Sequence, residues 1–160
     1  MNESTDGNRS IAIFLPSLSG GGAQRVVIDL SNALITLGYP VNLILANGTN
    51  YYTELLDPSI KLHDLKVKRI RNAVRPLGRW LSDHKPESLL VVQRHAAIVA
   101  IIAQWSSGWK GKLFVRETNT YCYPREAKRH LMDKLIVLIA QRLYREMAGV
   151  IAPSRGISDD

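Results

Sequence analysis

The sequence predicts a doubly wound α/β fold, a mostly parallel sheet with helices on both faces. Three observations point to it. Apolar runs of strand length recur along the chain, and segments with the 3.6-residue apolar period of a helix separate them. Three consecutive glycines, Gly20, Gly21 and Gly22, stand where the first run gives way to the first helical segment. Strands that alternate with helices build a sheet covered on both faces, so its strands read as near-continuous apolar runs.

Residues 1–9 are polar and predict a flexible tail; residues 10–160 predict one domain. Ile11, Ala12, Ile13, Phe14 and Leu15 read as a buried strand. The period changes at Ala23. Val26, Val27, Leu30, Ala33, Leu34 and Leu37 then fall on one side of a helix, with Gln24, Arg25, Asp29 and Asn32 largely off it. Gly38 is placed to end that helix, and residues 39–46 form the second strand. Residues 47–50 signal a turn, and a short helical turn is expected around Leu55 and Leu56. Residues 60–65 alternate as a strand near a sheet edge, with His63 on its polar side.

Residues 61–85 carry eight basic side chains against Asp64 and Asp83, nearly all of the chain's net charge of +7. Ile70, Val74, Leu77 and Leu81 make a helical apolar stripe there, weakened by Pro76 and Gly78. A basic amphipathic helix of this kind either lies on an anionic membrane or packs its apolar side on the sheet. Lys66, Lys68, Arg69, Arg71, Arg75 and Arg79 are the candidate anion-binding patch. Residues 88–94 predict the fourth strand and 96–105 a helix. Residues 112–116 predict the fifth strand, 125–147 a long helix, and 149–154 a last short strand.

Glycines at a strand-to-helix turn let a ligand approach the backbone and aim free N–H groups at it, which favours an anion such as phosphate. A P-loop is excluded, because no Gly-Lys-Ser/Thr ending occurs. A dinucleotide fingerprint is weak, because Arg25 and Asn47 replace the third glycine and the acidic residue it needs. In a doubly wound sheet ligands bind beyond the carboxyl ends of the strands. That rule selects the glycine turn, Arg94 and His95, the segment Arg116, Glu117, Thr118 and Asn119, and finally Ser154 and Arg155.

The lone Cys122 excludes an internal disulfide and fits a reducing compartment; it has no placed base beside it. No apolar run is long enough to span a bilayer, so a cytoplasmic protein, at most peripheral at the inner face of the membrane, is expected. No metal-ligand spacing surrounds His63, and no metal site is expected. Nucleic acid is an unfavoured partner: aromatic residues make up 7% of the chain and are not interleaved with the basic run.

Residues 20–34, with Leu37, Gly38, Tyr39, Pro40 and Val41, resemble the opening of retaining GT-B glycosyltransferases of family 4. There the usual pattern is Gly-Gly-Ala-Glu-Arg, an aliphatic run, and a Gly-His/Tyr-x-Val entry to the next strand; Gln24 replaces the Glu. Residues 115–119 and 150–157 resemble the family's fifth strand end and the segment before its second domain. The resemblance implies a Rossmann-like amino-terminal, acceptor-side domain. It implies transfer of a sugar from a UDP- or GDP-sugar to a hydroxyl of a glycan or lipid-linked acceptor, with no metal required. Gly20, Gly21, Gly22 and Arg25 would hold the donor diphosphate, and His95 would be the catalytic candidate. Arg94, Arg116, Glu117, Asn119, Ser154 and Arg155 would line the acceptor cleft. The family's nucleotide-binding domain carries two Glu residues at i and i+8, a pair these 160 residues lack. The expectation is therefore a half that needs a second domain, in cis or in trans, and has little activity alone. The alternative is a non-catalytic basic domain on anionic membrane or glycolipid surfaces.

Overall fold

The computed structural model describes residues 9–19, 21–48, 53–116 and 147–151. Among these residues six strands form one sheet: β1 (Ile11–Leu15), β2 (Val41–Leu45), β3 (Lys61–Asp64), β4 (Ser88–Val92), β5 (Lys112–Arg116) and β6 (Gly149–Ile151). Their spatial order is β3-β2-β1-β4-β5-β6, and every pairing is parallel. Among the described residues three α-helices, α1 (Gly22–Thr36), α2 (Val74–His84) and α3 (Arg94–Ser107), join them, with 3₁₀ turns at Thr53–Leu55 and Ile70–Ala73. This is the doubly wound, Rossmann-like order expected from the alternating pattern.

Strand alternation divides the core. Ala12, Phe14, Ile44, Leu89, Val91, Leu113 and Val115 face α2 and α3, where they meet Leu77, Leu81, Ala97 and Ile101. Ile13, Leu15, Leu43, Leu45, Leu90 and Val92 face the opposite way, onto Val27 and Ile28 of α1. Both faces of the central strands are thus dry, which is why these strands are apolar throughout.

The buried face of α1 corrects the sequence reading. Val27, Ile28 and Ser31 point inward, whereas Val26 is 43% and Leu37 71% exposed. Ser31 is tolerated because its Oγ donates to the Val27 carbonyl oxygen at 2.7 Å, so no polar group is left unpaired. The helix ends as predicted at Gly38 (φ 83°), where Gly38 N–H donates to Ile35 O and Tyr39 N–H to Leu34 O. Neither Pro76 nor Gly78 breaks α2. Pro76 lies in the first turn, where the N–H it lacks has no intrahelical partner anyway. A Cβ at Gly78 would stand 3.3 Å from Ala103 O, so its absence lets α2 and α3 pack closely. Residues 125–146 of the helix expected over 125–147 lie outside the described residues, as do the tail before Arg9 and Cys122; Met147, which is described, is not helical.

Candidate functional site at the carboxyl edge

β1 and β4 are neighbours in the sheet, but the helices that follow them leave to opposite faces, α1 to one and α3 to the other. In a doubly wound sheet a ligand crevice is expected where the winding reverses, and the two strand-to-helix turns stand at that point. On one side is Gly21 (φ 126°), a backbone conformation that only glycine adopts easily. No side chain caps α1, so the first N–H groups of the helix keep no partner within it. Both Gly21 and Gly22 are exposed, and a Cβ at Gly22 would meet nothing within 4 Å. The turn therefore has room for glycine's replacement at 22 in the free protein; packing does not require glycine there. Gln24 folds back, its Oε1 2.9 Å from where a Cβ on Gly21 would lie. Gly20 lies outside the described residues.

Arg25 turns away along the helix. Its Nε donates to Asp29 Oδ1 at 3.2 Å in an exposed i,i+4 pair. The helix thus opens with bare amides and no acidic side chain in its first turn, an arrangement that favours an anion.

On the other side of the crevice the turn between β4 and α3 holds a residue that no sequence signal marks. Gln93 precedes α3 with φ 85° and ψ 138°, a region costly for any residue with a Cβ. Its N–H donates to Arg116 O at 3.3 Å and its carbonyl accepts the Ala97 N–H, so both ends of the strained unit are tied. Arg94 opens α3, and His95 follows on an exposed position of the first turn. Arg116 closes β5 beside Val92, and its Nη1 is buried with no hydrogen-bond partner among the described residues. A buried guanidinium nitrogen without an acceptor costs free energy that a ligand oxygen would recover. Glu117, Asn119, Ser154 and Arg155 lie outside the described residues.

The basic segment starts at this same edge. Leu65 N–H donates to Leu45 O and Val67 N–H to Ala46 O, which keeps the chain along the end of β2. Lys66 takes a left-handed conformation (φ 53°) with its N–H bonded to Asp64 Oδ1 at 2.8 Å. Lys66, Lys68, Arg69, Arg71, Arg75 and Arg79 are all exposed, and the apolar side of α2 packs on the sheet and α3. Among the described residues no three potential ligands gather to hold a metal ion, and no helix is long and apolar enough to cross a membrane.

Comparison with known proteins gives the site a context. The model of Glycosyltransferase Family 4 matches residues 20–160. No curated protein sequence matches. Among solved structures, the fold is similar to the apo form of a lipopolysaccharide outer core galactosyltransferase, WaaB, with a TM-score of 0.66 at 15% identity. That similarity covers 94% of this chain and 41% of the other. It is also similar to MurG of Acinetobacter baumannii, with a TM-score of 0.58 at 17% identity over 92% of this chain and 42% of that one. The chain thus spans about two fifths of the length of these structures.

Proposed function

Because the chain belongs to glycosyltransferase family 4, we propose that it is the acceptor-side half of an enzyme that moves a sugar from a nucleoside diphosphate sugar to a hydroxyl. The observation that supports this reading most is the uncapped start of α1 at the point where the sheet reverses its winding. Departure of a nucleoside diphosphate builds negative charge on the leaving phosphates, and fixed N–H donors stabilise it without reorganising. Gly21 and Gly22 let a diphosphate come within reach of those donors, and the anomeric configuration is retained. Arg116 and the turn at Gln93 and His95 stand across the crevice, on the acceptor's side. The remaining charge on the leaving group is met by a nucleotide-binding domain, supplied in cis or in trans.

A second reading concerns where this happens. Six exposed basic side chains run from the carboxyl edge along the outer side of α2. They form an adhesive face for anionic lipid, which brings the crevice to a glycan or lipid-linked acceptor at the inner surface of a membrane.

The test is an assay of the chain joined to, or mixed with, a family 4 nucleotide-binding domain encoded beside it. A panel of UDP- and GDP-sugars and glycolipid acceptors serves as substrates. Transfer with retention, lost in the absence of the second domain, is the expected result. Robust turnover by residues 1–160 alone, or none from the reunited protein with any donor, overturns the proposal. For the membrane reading, binding to anionic vesicles should weaken with salt and disappear in the Arg75→Glu/Arg79→Glu variant. Equal retention on DNA would reduce it to a non-specific effect of charge.

A further inference from the structure

A cluster of rings lies where α2 meets the edge strand. His63 projects from β3 on the side that α2 covers. Its ring centroid is 5.1 Å from that of Trp80, at 67°, and 5.4 Å from that of His84, at 71°. Trp80 and His84, one turn apart on α2, stack at 4.3 Å and 8°. His84 Nδ1 donates to the Trp80 carbonyl oxygen at 3.0 Å, since a carbonyl can only accept. His63 Nε2 lies 3.0 Å from Oδ1 of Asn42, a side chain of β2 that is 8% exposed.

We propose that His63, Trp80 and His84 form an acid-sensitive clasp, which holds α2 to the edge of the sheet while His63 is uncharged and releases it when His63 takes a proton. Nothing in the cluster compensates a charge on His63. β2 offers an amide, Asn42; α2 offers His84, a second base; and β3 itself offers Lys61. Asp64, the carboxylate next along β3, is engaged with the Lys66 N–H. A proton on His63 therefore places its charge beside His84, the Lys61 ammonium and buried apolar surface. Burial first, then His84 and Lys61, hold the His63 imidazole below its ordinary value of 6.5. The sign follows from linkage. The unfolded chain binds the proton more readily than the folded one, so this contribution is complete above pH 6.5 and is lost as the pH falls through the depressed native value. Release moves the segment that carries Arg75 and Arg79, so acid would alter the basic face. The clasp stands whether or not the chain takes part in sugar transfer.

The experiment follows the imidazole Hε1 resonances of the 160-residue polypeptide, which has four histidines, through a pH titration. Urea unfolding is measured in parallel at pH 7 and pH 5. His63→Gln and His84→Gln assign the resonances; the first keeps an amide donor for Asn42, and the second changes an exposed position. His63 is expected to titrate below 6.5 and to move up in His84→Gln, and the acid-induced fall of the urea midpoint should at least halve in His63→Gln. Titration of His63 at or above 6.5, or an equal fall in His63→Gln and the parent, overturns the clasp.

Discussion

The two ends of the parallel sheet are finished differently. At the amino ends of β4 and β5 the polar groups of the turns are tied. Trp109 Nε1–H donates to Pro86 O at 2.8 Å, Gln104 Nε2 donates to Gly111 O, and Glu87 N–H donates to Ser10 O. At the carboxyl ends two helices start without a side-chain cap, Gln93 is held in a glycine-like conformation, and a buried nitrogen of Arg116 has no described partner. At the amino end the turn groups are tied to one another, around depressions of about 540 and 500 Å³ lined by residues such as Lys85, Trp109 and Lys112; the carboxyl end keeps donors uncommitted, as a ligand site requires.

Substitutions can break this contrast, beginning at the amino end. Trp109→Ala removes a side chain that is 6% exposed, together with its bond to Pro86. It is expected to lower unfolding free energy by about 3–5 kcal/mol, measured by urea titration. Gly22→Ala should act in the opposite sense. The new methyl meets no atom and favours helix, so the urea midpoint should hold or rise. In the two-domain enzyme, however, kcat/KM for the sugar nucleotide should drop about tenfold, equivalent to about 1.4 kcal/mol of transition-state binding. Equal kinetics in the variant would mean that no ligand approaches Gly22. Gln93→Gly relieves an outlier worth about 1–3 kcal/mol and gives part of that back through the freer unfolded chain, so a gain of about 1 kcal/mol is expected in the same titration. A loss would show that the Gln93 side chain itself supports the turn. Smallest is Asp29→Ala, which breaks an exposed pair with Arg25 and should cost about 0.2–0.5 kcal/mol by urea unfolding.

The sheet was legible in the sequence because its central strands are buried on both faces. Residues 112–116 coincide with β5, and residues 60–65 contain the edge strand β3. The inward side of α1 was legible only in part: the apolar period selects Val27 but also the exposed Val26 and Leu37, and it leaves out Ile28 and Ser31. Ser31 satisfies its hydroxyl within its own helix and enters the core, which turns Val26 outward. Pro76 and Gly78 look like breakers when counted singly, but a first-turn position and a close neighbouring helix accommodate them. For the site, three glycines in a row announce a turn that a ligand can approach. Nothing in the letters around Gln93 announces a positive φ, because the strain is imposed by the joining of β4 to α3 and its bond to β5. The ring cluster was equally hidden: His63 and His84 lie on different elements and meet only when α2 folds over the edge strand.

The strand order also has a consequence in time. β1 lies in the interior of the sheet; on one side Ile11 pairs with Val41, and on the other with Ser88. A ribosome adding about 5–20 residues each second delivers the second partner roughly 4–15 s after the first strand has been made. Once β2 has paired, and until β4 arrives, the most apolar strand of the chain has one open edge. The segment emerging meanwhile is the strongly cationic one, whose mutual repulsion discourages nascent chains from pairing with one another. The charge that serves the finished molecule at its surface thus also guards the unfinished one.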